Sequence, residues 1–117
     1  MECAVVAAAL EAAGAEVRLH SDYFAHDERD EVWLPEVARE GWVILTKDKA
    51  IRRRPIERNA LIASGARTFV LTSGNMRGDE MAQVLIGHLR RMERVVARTK
   101  PPFIAIVTRT AVQVLDL

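Results

Sequence analysis

The feature that most constrains this chain is its alternation of helix-like and strand-like segments at short spacing, with a glycine at nearly every change of type. Ala4 to Ala13 is rich in Ala and Leu and runs into Gly14, which fits the residue just past a helix end. Glu16-Val17-Arg18-Leu19 alternates polar and apolar, the period of a short strand. Val32 to Arg39 is predicted helical, with Val32, Trp33, Glu36, Val37 and Glu40 at helical spacing and Gly41 closing it. Pro35 is expected in its first turn, where proline is tolerated. Trp42 to Thr46 is continuous and apolar, as a strand buried on both faces would be. Pro55 to Ala63 reads as a helix ended by Ser64-Gly65, and Thr68 to Thr72 as a second buried strand. Gly78 to about Arg98 is a long amphipathic helix carrying Met81, Val84, Leu85, Leu89 and Met92. Phe103 to Val107 and Ala111 to Leu115 read as two last strands around a turn at Thr108-Arg109-Thr110.

The resulting order, α-β-α-β-α-β-α-β-β, implies an α/β fold with a mostly parallel central sheet and helices on both faces. Its 117 residues suffice for one domain, residues 1–117, and half of them are hydrophobic, so the core can be substantial. Charged residues make up 28% and the net charge is +1, which excludes a globally basic nucleic-acid protein and an acidic disordered chain. The single Cys3 cannot form an internal disulfide, so a reducing compartment, the cytoplasm, is expected. No apolar run approaches the roughly 20 residues of a membrane helix. Cys3, Trp33 and Trp42 are expected in the core. His20, Asp22, His26 and Asp27 fit no zinc spacing and read as a polar loop.

Chemistry in an open parallel sheet belongs at the carboxyl ends of its strands. Two strands end in polar residues: Thr46-Lys47-Asp48-Lys49 and Thr72-Ser73-Gly74-Asn75. Asp48, directly after a buried strand, could hold a hard cation, or it could simply serve as a turn residue or helix cap. Asp30 and Glu31 open the helix before that strand, where carboxylates suit the positive helix end. If they also face Asp48, the clustered carboxylates would bind Mg²⁺ or Mn²⁺. Such an ion can activate water and stabilise charge on a phosphodiester. Lys47 to Arg58 carries six basic residues against two acidic ones, so Lys47, Lys49, Arg52, Arg53 and Arg54 flank Asp48. They could bind phosphates or form a solvated face. A second basic run, Arg90, Arg91, Arg94, Arg98 and Lys100, reads as surface or as a partner contact.

The run Asp30-Glu31-Val32-Trp33-Leu34-Pro35-Glu36-Val37, followed by Gly41-Trp42-Val43-Ile44-Leu45-Thr46-Lys47-Asp48-Lys49, resembles PIN-like domains, including the VapC-type toxins of toxin–antitoxin pairs. Phe69 to Asn75 and Pro102 to Ala105 resemble one PIN-like subgroup, and the likeness runs from about Ala4 to about Val114. The resemblance implies a three-layer PIN-like fold and a Mg²⁺- or Mn²⁺-dependent endoribonuclease. It further implies an RNA substrate, a cognate antitoxin and a homodimer. By position, Asp48 matches the acid after the Thr-x-Asp strand, and Asp30 the acid opening the preceding helix, with Glu31 beside it. Asn75, or Ser73, matches the polar position after the next strand. Asp30 and Asp48 would then hold the metal, with Glu31 and Asn75 as further ligands or water positioners. Lys47, Lys49, Arg52 and Arg53 would contact RNA phosphates. The family opens with a strand ending in Asp, and this chain opens inside or next to the helix that follows. That leaves three expectations open: a start placed too far downstream, a degenerate relative, or a sheet completed by a partner chain. A degenerate module would bind an antitoxin partner or RNA without cutting. A phosphohydrolase on a similar sheet is a third reading.

Overall fold

The computed structural model describes residues 3–16, 30–47, 54–72 and 76–115. Among them lie four helices, α1 (Cys3–Ala12), α2 (Asp30–Arg39), α3 (Pro55–Ser64) and α4 (Gly78–Arg98). With them are four strands, β1 (Val43–Thr46), β2 (Arg67–Leu71), β3 (Phe103–Val107) and β4 (Val112–Val114), in the chain order α1-α2-β1-α3-β2-α4-β3-β4 among the described residues. The strands form one sheet in the order β1-β2-β3-β4. β1, β2 and β3 run parallel, and β4 returns antiparallel to β3, so the last two strands are the expected hairpin. Thr108 holds the hairpin turn. Its N–H donates to the Ala111 carbonyl at 2.9 Å, and its hydroxyl accepts from the Ala111 N–H at 3.1 Å.

The pleat explains why β2 and β3 read as unbroken apolar runs. Phe69 and Leu71 of β2, with Phe103, Ala105 and Val107 of β3, face a core shared with Leu10 of α1 and Met81, Leu85 and Met92 of α4. Val70 and Ile104, the residues between them, face a second core with Leu34 and Val37 of α2, Leu61 of α3 and Ile44 of β1. Both faces of the sheet are therefore covered, which makes three layers. Phe69 and Phe103 meet edge to face at 5.5 Å across neighbouring strands, a favoured aromatic geometry. Trp33 and Trp42 are partly buried against the second core, in keeping with the expectation.

The carboxyl ends of α1, α2 and α3 share one device. After α2 the Gly41 N–H donates to the Ala38 carbonyl and the Trp42 N–H to the Val37 carbonyl, with Gly41 at φ +74°. The same pair of bonds recurs after α1 and α3, on Gly14 and Gly65. These are the paired bonds of a left-handed helix end, which reverses the chain within two residues.

Two expectations need correction, and a third lies almost wholly outside the described residues. β1 is not buried on both faces: Val43 is 39% exposed, because among the described residues β1 pairs with β2 alone and forms a sheet edge. Pro35 does not sit in the first turn. α2 begins two residues earlier than expected, so Pro35 is its sixth residue and cannot donate to the carbonyl of residue 31. Burial of Leu34 and Val37 on either side holds the helix together there. Glu16 lies outside any strand, and Val17-Arg18-Leu19, the rest of that expected strand, lie outside the described residues.

Candidate functional site at the carboxyl edge of the sheet

β1 and β2 are adjacent and parallel, with Thr46 level with Val70. Each strand therefore delivers its following segment to the same edge. β1 leads into Lys47, which is exposed. β2 leads into Thr72, whose N–H still donates to the Val107 carbonyl at 2.9 Å and so prolongs the sheet by one rung.

The turn at Gly41 folds α2 back against β1. Ten helical residues rise roughly 15 Å and four strand residues roughly 13 Å, so the start of α2 comes level with the end of β1. The backbone of Asp30 and Glu31 forms that start. α3 begins at the same edge, because its chain arrives from β1, with Arg54 3.8 Å from Glu57 across its first turn. α4 begins there as well, one short connection after β2.

The candidate residues thus divide. Asp30 and Glu31 are the first two residues of α2, and Lys47 follows β1. Asp48, Lys49, Arg52, Arg53, Ser73 and Asn75 lie outside the described residues, as do His20, Asp22, His26 and Asp27. Among the described residues no three His, Cys, Asp or Glu side chains come together as a metal cluster.

One charged cluster at the start of α4 was not singled out from the sequence. The Glu80 carboxylate accepts from Arg77 Nε at 3.0 Å and from Arg109 at 3.2 Å. The Arg109 hydrogen bond is the main reason that the Glu80 carboxyl titrates below its ordinary range; Arg77 adds to it and partial desolvation opposes it. Both oxygens of Glu80 are thus engaged by guanidinium groups, and the residue ties α4 to the β3–β4 turn. The signal in the sequence was faint: Arg77 and Glu80 are three apart, but Arg109 is 29 residues away.

His88 makes a second link between the same elements. It is buried, and its Nε2 lies 2.9 Å from the Thr108 carbonyl and 3.3 Å from that of Arg109. Two carbonyl acceptors require Nε2 to carry the proton. Its Nδ1 is buried without a partner among the described residues. The role is structural, since both contacts are to the backbone of the hairpin.

A family model described as "PIN like domain" matches residues 3–73. The chain belongs to the PIN-like domain family. The matched span includes α1, α2, β1, α3 and β2, and so every element named at the carboxyl edge above except α4. A Mycobacterium tuberculosis (strain ATCC 25618 / H37Rv) protein named "Putative ribonuclease VapC45" is 33% identical over 78 residues, covering 67% of this chain and 56% of that protein. The PIN-like chain therefore spans little more than half the length of that curated relative. No solved structure matches it. Among the described residues no helix is long and apolar enough to cross a membrane.

Proposed function

We propose that this PIN-like chain is a metal-dependent endoribonuclease, the toxin of a toxin–antitoxin pair acting in the cytoplasm. The observation that carries the reading is the meeting of β1 and β2 at one edge, beside the start of α2. That arrangement supports a shared site for Asp30, Glu31, Asp48 and Asn75. In this reading Asp30 and Asp48 hold Mg²⁺ or Mn²⁺, an all-oxygen donor set suited to hard cations. The bound ion would supply charge stabilisation at the scissile phosphate and lower the pKa of a water. Glu31 and Asn75 orient that water or complete the ligand set. Lys47, Lys49, Arg52 and Arg53 bind the phosphates on either side and hold the strand in register with the carboxylates. The ribonuclease named in the relative's description supports the same chemistry. A cognate antitoxin would silence the chain by covering this edge, and a homodimer is part of the same reading.

The test is cleavage of labelled single-stranded RNA with Mn²⁺ or Mg²⁺. Wild-type protein cuts; Asp48→Asn and an excess of EDTA each abolish cutting. Equal rates from wild type and Asp48→Asn would overturn the assignment. RNA binding without cleavage under either metal would favour a non-cutting module instead.

A further inference from the structure

The second basic run has a definite place in the fold. Arg91, Arg94 and Arg98 line one side of an open groove of about 510 Å³, with Thr99, Ala111 and Val112 among its other walls. All three arginines are exposed. They recur at intervals of three and four residues, so they form one strip along α4, spread over roughly 10 Å of helix. None of the three is hydrogen-bonded or ion-paired among the described residues, unlike Arg39, Arg54, Arg77 and Arg109. Among the described residues no carboxylate lines the groove. The negative end of a helix dipole explains a cation in the last turn, and Arg98 meets that need. Arg91 and Arg94 lie before the last turn and exceed it.

We infer that this groove, whose described lining does not include Lys47, binds the phosphodiester backbone of a single RNA strand. Guanidinium groups suit phosphate because their planar forks can donate two hydrogen bonds at once. A regular row of them matches a ligand with one charge per nucleotide better than a peptide with scattered acids. Among the described residues no aromatic ring lines the groove, so the contact would be to backbone and not by base stacking. The inference deepens the RNA reading above by giving the strand a second anchor, and it rests on that reading for the choice of RNA.

The experiment measures binding of a fluorescent 12-nucleotide RNA in EDTA across a salt series. Cleavage is absent under those conditions, so a chain that never cuts RNA still reports on the groove. Single-strand binding loses about 0.7 in the slope of log K against log salt for each phosphate contact. Replacing Arg91, Arg94 and Arg98 together by Gln should therefore flatten the slope by about 2 and weaken binding roughly 100-fold at 0.1 M salt. The Lys triple variant should keep most of the slope, because charge is retained. Arg90→Gln, on the same helix but outside the groove wall, should leave the slope nearly unchanged. An unchanged slope in the folded Gln variant overturns the inference. So does an equal effect from Arg90→Gln, or displacement of the RNA from the groove by poly-glutamate at matched charge, which would mark an acidic protein segment as the true occupant.

Discussion

Two alanine substitutions of opposite sign test the backbone logic of the fold. Gly65 ends α3 at φ +76° and ψ +23°, with its N–H on the Ile62 carbonyl and the next N–H, from Ala66, on the Leu61 carbonyl. A Cβ placed there meets nothing within 4 Å, so Gly65→Ala introduces no clash. Its cost is purely conformational: about 1–2 kcal/mol for an L-residue held left-handed, offset in part by the loss of unfolded-chain freedom. The net expectation is a destabilisation of about 1 kcal/mol. Gly87 presents the reverse case. It lies within α4, is exposed, and a Cβ there also meets nothing within 4 Å. Gly87→Ala should therefore stabilise by about 0.5–1 kcal/mol through helix propensity alone. For a chain of this length 1 kcal/mol moves the melting temperature by roughly 3–6 °C. Urea denaturation followed by circular dichroism should show the two midpoints moving in opposite directions at unchanged m. A neutral or stabilising Gly65→Ala would refute the claim that the left-handed turn, and not merely a small side chain, is required between α3 and β2.

Two further outcomes follow from the same structure. Leu85 is wholly buried between α4 and the sheet, so Leu85→Ala should cost about 2–5 kcal/mol in a urea titration, whereas Ile56→Ser, at a site 83% exposed, should change stability by less than about 0.5 kcal/mol. The Glu80 carboxyl is held below its ordinary range, so the unfolded chain binds its proton first as the solution is acidified. Its stabilisation is full above the ordinary Glu value of about 4.3 and is lost as pH falls below it. Glu80→Gln should flatten the fall in stability between about pH 5 and 3, and an unaltered acid limb would remove Glu80 as a contributor.

How far the chain could be read from its residues depended on which physics was local. The ends of α1, α2 and α3 were legible because a left-handed turn demands glycine, and Gly14, Gly41 and Gly65 stand where it is needed. The bounds of α4 were legible because Met81, Leu85 and Met92 repeat at helical spacing and supply one core face. Burial was legible for β2, where both faces carry apolar side chains. The same pattern misled for β1, since an apolar run does not reveal that Val43 is left 39% exposed on a strand that, among the described residues, pairs with β2 alone. Pro35 misled for a related reason: proline is most often near a helix start, but buried Leu34 and Val37 let α2 begin earlier.

The candidate site divides along the same line. Asp30, Glu31 and Asp48 were picked out by their positions next to elements, and the described part of that edge is backbone: the start of α2 and the ends of β1 and β2. Long-range pairings had no local signature. Nothing around Glu80 announces Arg109, and nothing around His88 announces the Thr108 carbonyl. The arginine row on α4 was visible as charge, yet a solvated helix face and a groove wall have the same sequence. What separates them is the β4 side of the groove, brought up by a hairpin that begins only after the helix has ended. RNA affinity that depends on the shape of the groove, and not on the arginine charges alone, should therefore weaken when β3 and β4 unfold even where helix content survives, because Ala111 and Val112 then leave the arginine strip.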